Sequence, residues 1–166
     1  MPGRGVEILT LFQNFAWKKK FGGIENHNSR KKAQAAQREC MKDPIFELCD
    51  RIRETSLALH RYLRHGYLEK VYENGLAHRL RKAGLKVEQQ HPLKVLDEDG
   101  IVLGDYLADL FIGNCLIVEL KACRALCDEH MAQLLGYLRA CRIEHGLLIN
   151  FGAPKLEIRK FVLSEK

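Results

Sequence analysis

Two helices are predicted by apolar residues that recur three and four positions apart between residues 43 and 84. The first segment, DPIFELCDRIRETSLALHRYL, has Asp43 as a candidate N-cap and Pro44 at the first helical position. The second runs from Leu68 to Leu80 and stops before Gly84, a residue type common just past a helix end. Together the two patterns indicate a helical hairpin or one kinked helix.

The pattern changes after residue 86 to alternating or continuous apolar runs, which are typical of strands. The runs KVEQQHPLKVL and IVLGDYLADLFI flank the turn signal DEDG, so we expect an antiparallel hairpin. CLIVELKA adds a third strand, Asp128 caps a helix with one apolar side, and GLLINFG and LEIRKFVL close the chain as two more strands. The sequence therefore predicts an α/β fold with a mixed central sheet of about five strands and flanking helices.

The chain has 166 residues, 46% of them hydrophobic, which is enough for one domain with a substantial core. Its formal charge of +6 is concentrated in residues 1–40, which contain eight Lys and Arg against three Asp and Glu. We interpret residues 1–40 as a basic, flexible N-terminal tail and residues 41–166 as the folded domain. The nearly balanced charge of that domain gives no independent support for nucleic acid binding.

The six cysteines contain no C-x-x-C pair, and several lie in apolar runs, which favours a reducing compartment over a disulfide framework. No window is apolar enough to span a membrane, and no secretory signal is recognisable. We therefore expect a cytoplasmic protein without membrane association. Cys123, Cys127 and His130 are an alternative start of a zinc site, although the last strands contain no cysteine to complete it.

The apolar segment CLIVELKAC carries two charged residues, Glu119 and Lys121, on the same face of a predicted strand. A two-residue loop before this strand would place Asp109 of the preceding strand opposite Val118. A three-residue loop, residues 113–115, would place Asp109 opposite Glu119 instead, and such loops are common when Gly or Asn adopts the left-handed conformation. We predict the second register.

Two carboxylates with Cβ atoms within roughly 5 Å of each other repel unless a cation lies between them. A hard divalent ion is the simplest such cation, and Lys121 would remain free to act on a substrate. The ion would polarise a phosphate while Lys121 orients the attacking water or stabilises the developing charge, which suits phosphodiester hydrolysis. The alternative is a structural ion pair between Glu119 and Lys121 at the end of a strand.

Four short motifs together resemble a known nuclease superfamily. Asp109, followed ten residues later by the E-x-K of residues 119–121, is similar to the PD-(D/E)xK core, which has an Asp on one strand and E-x-K on the next. Residues 66–72, GYLEKVY, match the signature of the GxxExxY family, and residues 133–137, QLLGY, match the Q-x-x-x-Y helix motif of RecB-type members. The resemblance extends over residues 43–163 and implies a restriction-endonuclease-like core.

The resemblance also implies a metal-dependent nuclease that uses Mg²⁺ or Mn²⁺ and acts on nucleic acid, with DNA favoured over RNA. It implies that the oxygen ligands of the ion come from Asp109, Glu119, Glu69 and the carbonyl of Leu120. Lys121 would be the catalytic lysine, and Gln133 and Tyr137 would line the cleft. The alternatives are a catalytically silent nuclease-fold module that binds nucleic acid or protein, and a homodimer built on the open sheet edge.

Overall fold

A computed structural model describes residues 5–10 and 44–164. Within these residues no helix is both long and apolar enough to cross a membrane. The elements are, in chain order, β1 Gly5–Thr10, α1 Pro44–Leu63, α2 Glu69–Lys82, β2 Val87–Leu96, β3 Val102–Ile112, β4 Leu116–Lys121, α3 Asp128–Cys141, β5 His145–Asn150 and β6 Glu157–Ser164.

The strands form one mixed sheet in the order β1-β6-β5-β4-β3-β2. Only β4 and β5 pair in parallel among the described strands, and α3 makes the crossover between them. The other neighbours are antiparallel. The α/β fold and the mixed sheet predicted from the sequence are confirmed, with β1 added to the five predicted strands.

Helices cover both faces of the sheet. α1 and α2 pack on one face with Leu110, Val118 and Ile149, while α3 packs on the other with Ile117 and Leu148. Because Ile117 and Val118 belong to opposite cores, the side chains of β4 alternate between the two helical layers. Glu119 and Lys121 are two and four positions after Ile117, so their side chains lie on the face of the sheet that α3 covers.

α1 and α2 form a helical hairpin, the first of the two predicted arrangements. Arg51 near the start of α1 donates a hydrogen bond of 2.6 Å to the carbonyl of Ala83, just after α2. α2 ends as predicted, because Gly84 adopts a φ of +81° and the amide of Leu85 donates to the carbonyl of Leu80 at 3.1 Å. This hairpin fixes the first turn of α2, where Glu69 lies.

The predicted register between β3 and β4 is confirmed. Leu110 pairs with Val118, and the pairing continues with Phe111 to Ile117 and Ile112 to Leu116. Residues 113–115 therefore form the three-residue loop, with φ near +60° at both Gly113 and Asn114. The ladder stops at Leu110, one position before Asp109, so Asp109 and Glu119 lie near each other without forming a ladder pair.

Two expectations about element ends need correction. Residues 5–10 were expected to belong to a flexible tail, but they form β1, which pairs with β6 from Gly5–Ser164 to Thr10–Arg159. The cap of α3 is Cys127 rather than Asp128, and its amide donates to Nδ1 of His130 at 3.3 Å. The proposed N-cap Asp43 and the rest of the predicted tail, residues 1–4 and 11–40, lie outside the described residues.

The far end of the β2–β3 hairpin is unusually apolar for a surface. Six of the eleven exposed large hydrophobic residues in the described part of the chain lie between residues 96 and 107. We call this region the hairpin tip; its exposed residues are Leu96, Ile101, Val102, Leu103, Tyr106 and Leu107. Exposed apolar patches of this kind mark interaction surfaces.

Candidate active site

The predicted carboxylates and lysine converge where β4 ends. Glu119 and Lys121 project from β4, and Asp109 reaches them from the neighbouring strand β3. Glu69, the first residue of α2, accepts a hydrogen bond of 3.2 Å from the amide of Ala122, immediately after β4. One strand end thus collects three carboxylates around one ammonium group.

Glu119 and Lys121 form a closed ion pair. Nζ of Lys121 donates to Oε1 of Glu119 at 2.6 Å, and both side chains are largely buried. In this structure the ammonium group of Lys121 is held by Glu119, so its availability to a substrate beside a bound ion stays a prediction. The second oxygen of Glu119, Oε2, is buried without a hydrogen-bond partner among the described residues.

Burial and crowding of like charges shift the acid–base properties of this pair. Burial, together with the charge of the Asp109 carboxylate, raises the pKa of Glu119 to about 7 although Lys121 acts to lower it. Burial acts to lower the pKa of Lys121, but its hydrogen bond to Glu119 and the surrounding carboxylates outweigh this and raise the pKa. The two shifts favour a neutral Glu119 and a charged Lys121 more than in isolated side chains.

Asp109 connects the two strands where the ladder ends. Its Oδ2 accepts a hydrogen bond of 2.8 Å from the amide of Leu120, and its Oδ1 lies 3.4 Å from Nε2 of Gln90. Burial raises the pKa of Asp109, although the Leu120 amide opposes the rise. The backbone amide of Leu120 therefore fixes Asp109 beside Glu119. The side chain of Leu120 itself lies in the core beneath α1 and α2.

Glu69, at the start of α2, adds a third carboxylate to the charges around Lys121. Burial raises its pKa, the ammonium of Lys121 opposes the rise, and the Asp109 carboxylate adds to it. The sequence placed Glu69 at the edge of the buried helix face, and in the structure it is half-buried. Its side chain links the start of α2 to the end of β4.

Sequence reasoning missed Glu73, a buried carboxylate one turn beyond Glu69. Glu73 accepts hydrogen bonds from Lys70 at 2.7 and 2.8 Å and from Gln90 at 2.9 Å. Because Gln90 also reaches Asp109, this network ties α2 to β3 at the site. The spacing of four residues between Glu69 and Glu73 was the available signal, since it places both side chains on one side of the helix.

Asn150 is a second residue that sequence reasoning missed. It ends β5 directly beside Lys121 in the parallel pairing, and its side chain is fully buried. Its Oδ1 accepts hydrogen bonds from the amide of Cys123 at 3.1 Å and from the amide of Gly152 at 3.0 Å. Asn150 thereby clamps the loop after Lys121, and a polar residue closing the apolar run GLLIN was its sequence signal.

Gln133 and Tyr137 are neighbours on α3, as their spacing predicts. Nε2 of Gln133 donates to the hydroxyl of Tyr137 at 2.7 Å, and the Tyr137 ring lies 5.7 Å from that of Tyr106. All three line a groove of about 850 Å³ between α3 and the β2–β3 hairpin. The carboxylates lie beside this groove and do not form its wall. Burial raises the pKa of Tyr137, and the negative charge of Glu119 adds to the rise.

The donor atoms of the site suit a hard divalent cation. Among residues 44–164 no three His, Cys, Asp or Glu side chains lie close enough to hold a metal ion jointly, and this includes Cys123, Cys127 and His130. Mg²⁺, however, commonly uses one or two protein carboxylates and keeps several waters. The buried, unpartnered Oε2 of Glu119 beside Asp109 fits such a two-carboxylate site.

The raised pKa of Glu119 predicts a pH dependence of stability in metal-free protein. Its pKa is about 7 in the folded state against 4.5 for an ordinary glutamate, so the folded state binds the proton more tightly. The free energy of unfolding should therefore fall as the pH rises from about 4.5 to about 7. Glu119→Gln should flatten this dependence, because an amide does not titrate in this range.

Urea unfolding in the presence of a chelator, at several pH values between 5 and 8, measures this difference. Glu54→Gln is a suitable control because the side chain of Glu54 is 73% exposed on α1. Parallel curves for wild type and Glu119→Gln over the whole pH range would contradict the prediction.

Comparison with known proteins identifies one family. The family model described as the PD-(D/E)XK nuclease superfamily matches residues 46–161, which include every candidate site residue. Neither the curated proteins nor the solved structures give a significant match.

Proposed function

Because the chain belongs to the PD-(D/E)XK nuclease superfamily, we propose that it is a metal-dependent nuclease that hydrolyses phosphodiester bonds in nucleic acid. The observation that carries this proposal is the Lys121 ammonium held 2.6 Å from Glu119 beside a second carboxylate, Asp109. The motif at residues 66–72 supports assignment to the GxxExxY group, because it supplies Glu69 to the same strand end.

We assign the metal ligands to Asp109 and Glu119, with the Leu120 carbonyl as a third oxygen and Glu69 nearby. Mg²⁺ or Mn²⁺ suits these hard oxygen donors. When bound, the ion supplies Lewis acidity toward a phosphate oxygen. It would also reduce the repulsion between the carboxylates, which together with burial raises the pKa of Glu119.

Lys121 acts in this proposal on the charge that develops during hydrolysis. A cation bound to Glu119 would weaken the hold of that carboxylate on Nζ, because Glu119 would share its charge with the metal. The released ammonium could then orient the attacking water or stabilise the phosphate in the transition state. Gln133 and Tyr137 would contact the substrate from α3, since both line the groove beside the carboxylates.

The function is tested by incubating the protein with linear DNA, circular DNA, single-stranded DNA and RNA in Mg²⁺ or Mn²⁺. We expect cleavage with either metal, preferentially of DNA, and at least a 100-fold loss of rate with excess chelator, because the carboxylates alone cannot polarise the phosphate. Restoration of activity by adding back Mn²⁺ is the control for chelator damage. Folded protein that cleaves none of these substrates would contradict the proposal.

A catalytically silent nucleic acid or protein binding module is the second candidate. The closed Glu119–Lys121 ion pair favours it, because a buried ion pair can serve structure alone. Cleavage and binding assays on Lys121→Ala separate the two functions. Loss of cleavage with retained binding supports the nuclease, whereas identical behaviour of wild type and variant in every assay supports the module.

A further inference from the structure

We propose that the turn between α1 and α2 binds single-stranded nucleic acid, with an unpaired base stacked on Tyr67 and with Arg61 and Arg64 at its phosphates. We call residues 61–68 the basic turn. The proposal rests on the proposed function, because it names a substrate class for the same site. Three features of the described residues support it: exposed aromatic and aliphatic side chains, exposed guanidinium groups, and a backbone that is fixed next to Glu69.

Large apolar side chains are concentrated on the basic turn. Outside the hairpin tip the described residues include five exposed large hydrophobic side chains, and four of them lie between residues 62 and 71. Leu68, Tyr62 and Tyr67 are 80%, 76% and 53% exposed. An exposed aromatic ring beside aliphatic side chains can stack on a nucleic acid base, and such stacking tolerates any sequence because every base has a π-face.

Tyr67 is better placed than Tyr62 to receive a base. The ring of Tyr62 already has a cationic partner, because Cζ of Arg79 lies 5.4 Å from its centroid. The ring of Tyr67 has only a neutral ring partner among the described residues, Tyr72, at 6.3 Å and an interplanar angle of 77°. We therefore assign the stacking contact to Tyr67.

The charges of the basic turn suit a polyanion. Glu69 is the only acidic residue between residues 55 and 72. Arg61 and Arg64 are both exposed, and neither forms an ion pair with any of the described residues. Each guanidinium group can therefore donate two parallel hydrogen bonds to a phosphate.

Tyr72 holds the backbone of the basic turn in one conformation. Its hydroxyl donates to the carbonyl of Arg64 at 2.8 Å and accepts a hydrogen bond of 3.2 Å from the amide of Tyr67. The buried ring of Tyr72 stacks on Phe151 at 4.8 Å, so both hydrogen bonds are anchored in the core. A preformed turn loses less conformational entropy on binding than a mobile one.

The basic turn lies next to the candidate metal site. Tyr67 precedes Glu69 by two residues, which limits the distance between their Cα atoms to about 7.6 Å. Glu69 in turn bonds to the amide of Ala122, directly after β4. A strand whose scissile phosphate lies at the carboxylates can therefore place a neighbouring nucleotide on the turn.

Stacking favours a single strand over a duplex as the ligand. The bases of a duplex are paired and stacked on each other, so a duplex offers this turn only its phosphates. Two guanidinium groups on a domain of nearly balanced charge give weak binding through phosphates alone. An unpaired base adds the contact with Tyr67, whereas an acidic protein segment would bind through the arginines and would not need the ring.

Fluorescence anisotropy with a labelled single-stranded DNA in excess chelator measures binding without cleavage. We expect Tyr67→Ala to weaken binding about 10-fold, whereas Tyr67→Phe keeps the ring and should bind like wild type. A duplex of the same sequence should bind at least about 10-fold more weakly than the single strand. Thermal melts establish that each variant is folded.

Salt dependence separates the arginines from Tyr67. Arg61→Ala and Arg64→Ala should each reduce the slope of log affinity against log salt by about 0.7, because each removes one phosphate contact. Tyr67→Ala should leave the slope unchanged. Lys82→Ala is the matched control: Lys82 is exposed at the opposite end of α2, and its change should alter neither affinity nor slope.

Equal affinity for single strand and duplex overturns the proposal, and so does a Tyr67→Ala variant that binds as tightly as wild type. Polyglutamate that competes as well as single-stranded DNA would indicate an acidic protein partner and also overturns it. Binding that depends on the ring, in protein that cleaves nothing, supports this inference and contradicts the nuclease alone. Metal-dependent cleavage without binding that depends on the ring contradicts this inference alone.

Discussion

Replacing Lys121 with alanine is expected to lower the rate of metal-dependent cleavage by about 10³-fold or more while the protein remains folded. Lys121 is the ammonium group at the centre of the site: Nζ lies 2.6 Å from Glu119, and its pKa also responds to the charges of Glu69 and Asp109. A side chain without a charge cannot stabilise the negative charge that develops on the phosphate. The loss should therefore fall on kcat, with a smaller effect on substrate affinity.

The fold should tolerate this change better than most losses of a buried ion-pair partner. Glu119 already has a pKa of about 7, so it can take up a proton once the lysine is absent. Lys86→Ala is the matched control, because it removes one positive charge from a side chain that is 62% exposed just before β2. Single-turnover cleavage measures the rate. If Lys121→Ala cleaves as fast as Lys86→Ala, Lys121 has no role in the reaction.

Gly152→Ala is expected to give the largest loss of stability of any variant considered. A Cβ atom at residue 152 would overlap the amide nitrogen of Cys123 and the carbonyl carbon of Ala122. These are backbone atoms, which cannot rotate away as a side chain would. We expect a loss of about 3 kcal/mol, which corresponds to a fall of about 10 °C in melting temperature.

The same change should displace the loop that follows Lys121, because Asn150 clamps that loop through Gly152 and Cys123. Gly136→Ala is the control, since its new methyl group meets nothing within 4 Å and alanine favours a helix over glycine by about 1 kcal/mol. Differential scanning calorimetry on both variants provides the measurement. Equal melting temperatures for the two would mean that the close approach at residue 152 is not maintained in solution.

Local patterns predicted most of the fold. The helical spacing from residue 45, the turn signals, and the Gly and Asn of the loop at residues 113–115 are interactions between residues near in sequence, and the structure follows them. β1 was missed because a six-residue run such as GVEILT does not by itself determine a pairing partner. Their strand exists through pairing with β6, more than a hundred residues later.

The site shows the same division. The register of β3 and β4 could be predicted because side-chain alternation and loop length determine it. The end of the ladder before Asp109 could not be predicted: Gln90 on the neighbouring strand adopts a φ of +51°, and Asp109 accepts a hydrogen bond from the amide of Leu120 instead of pairing with Glu119. Contacts such as Glu73 to Gln90 join distant segments, and no short sequence pattern encodes them.

The parallel pairing of β4 with β5 has a consequence for how the protein folds. Lys121 and Asn150 become neighbours only after the chain has closed the entire crossover from residue 122 to residue 144. Closing such a long segment costs chain entropy before any contact compensates for it, which slows folding of topologies rich in remote contacts. If the protein is the nuclease proposed above, cleavage should therefore return only in the last, cooperative kinetic phase of refolding, together with the tertiary spectroscopic signal.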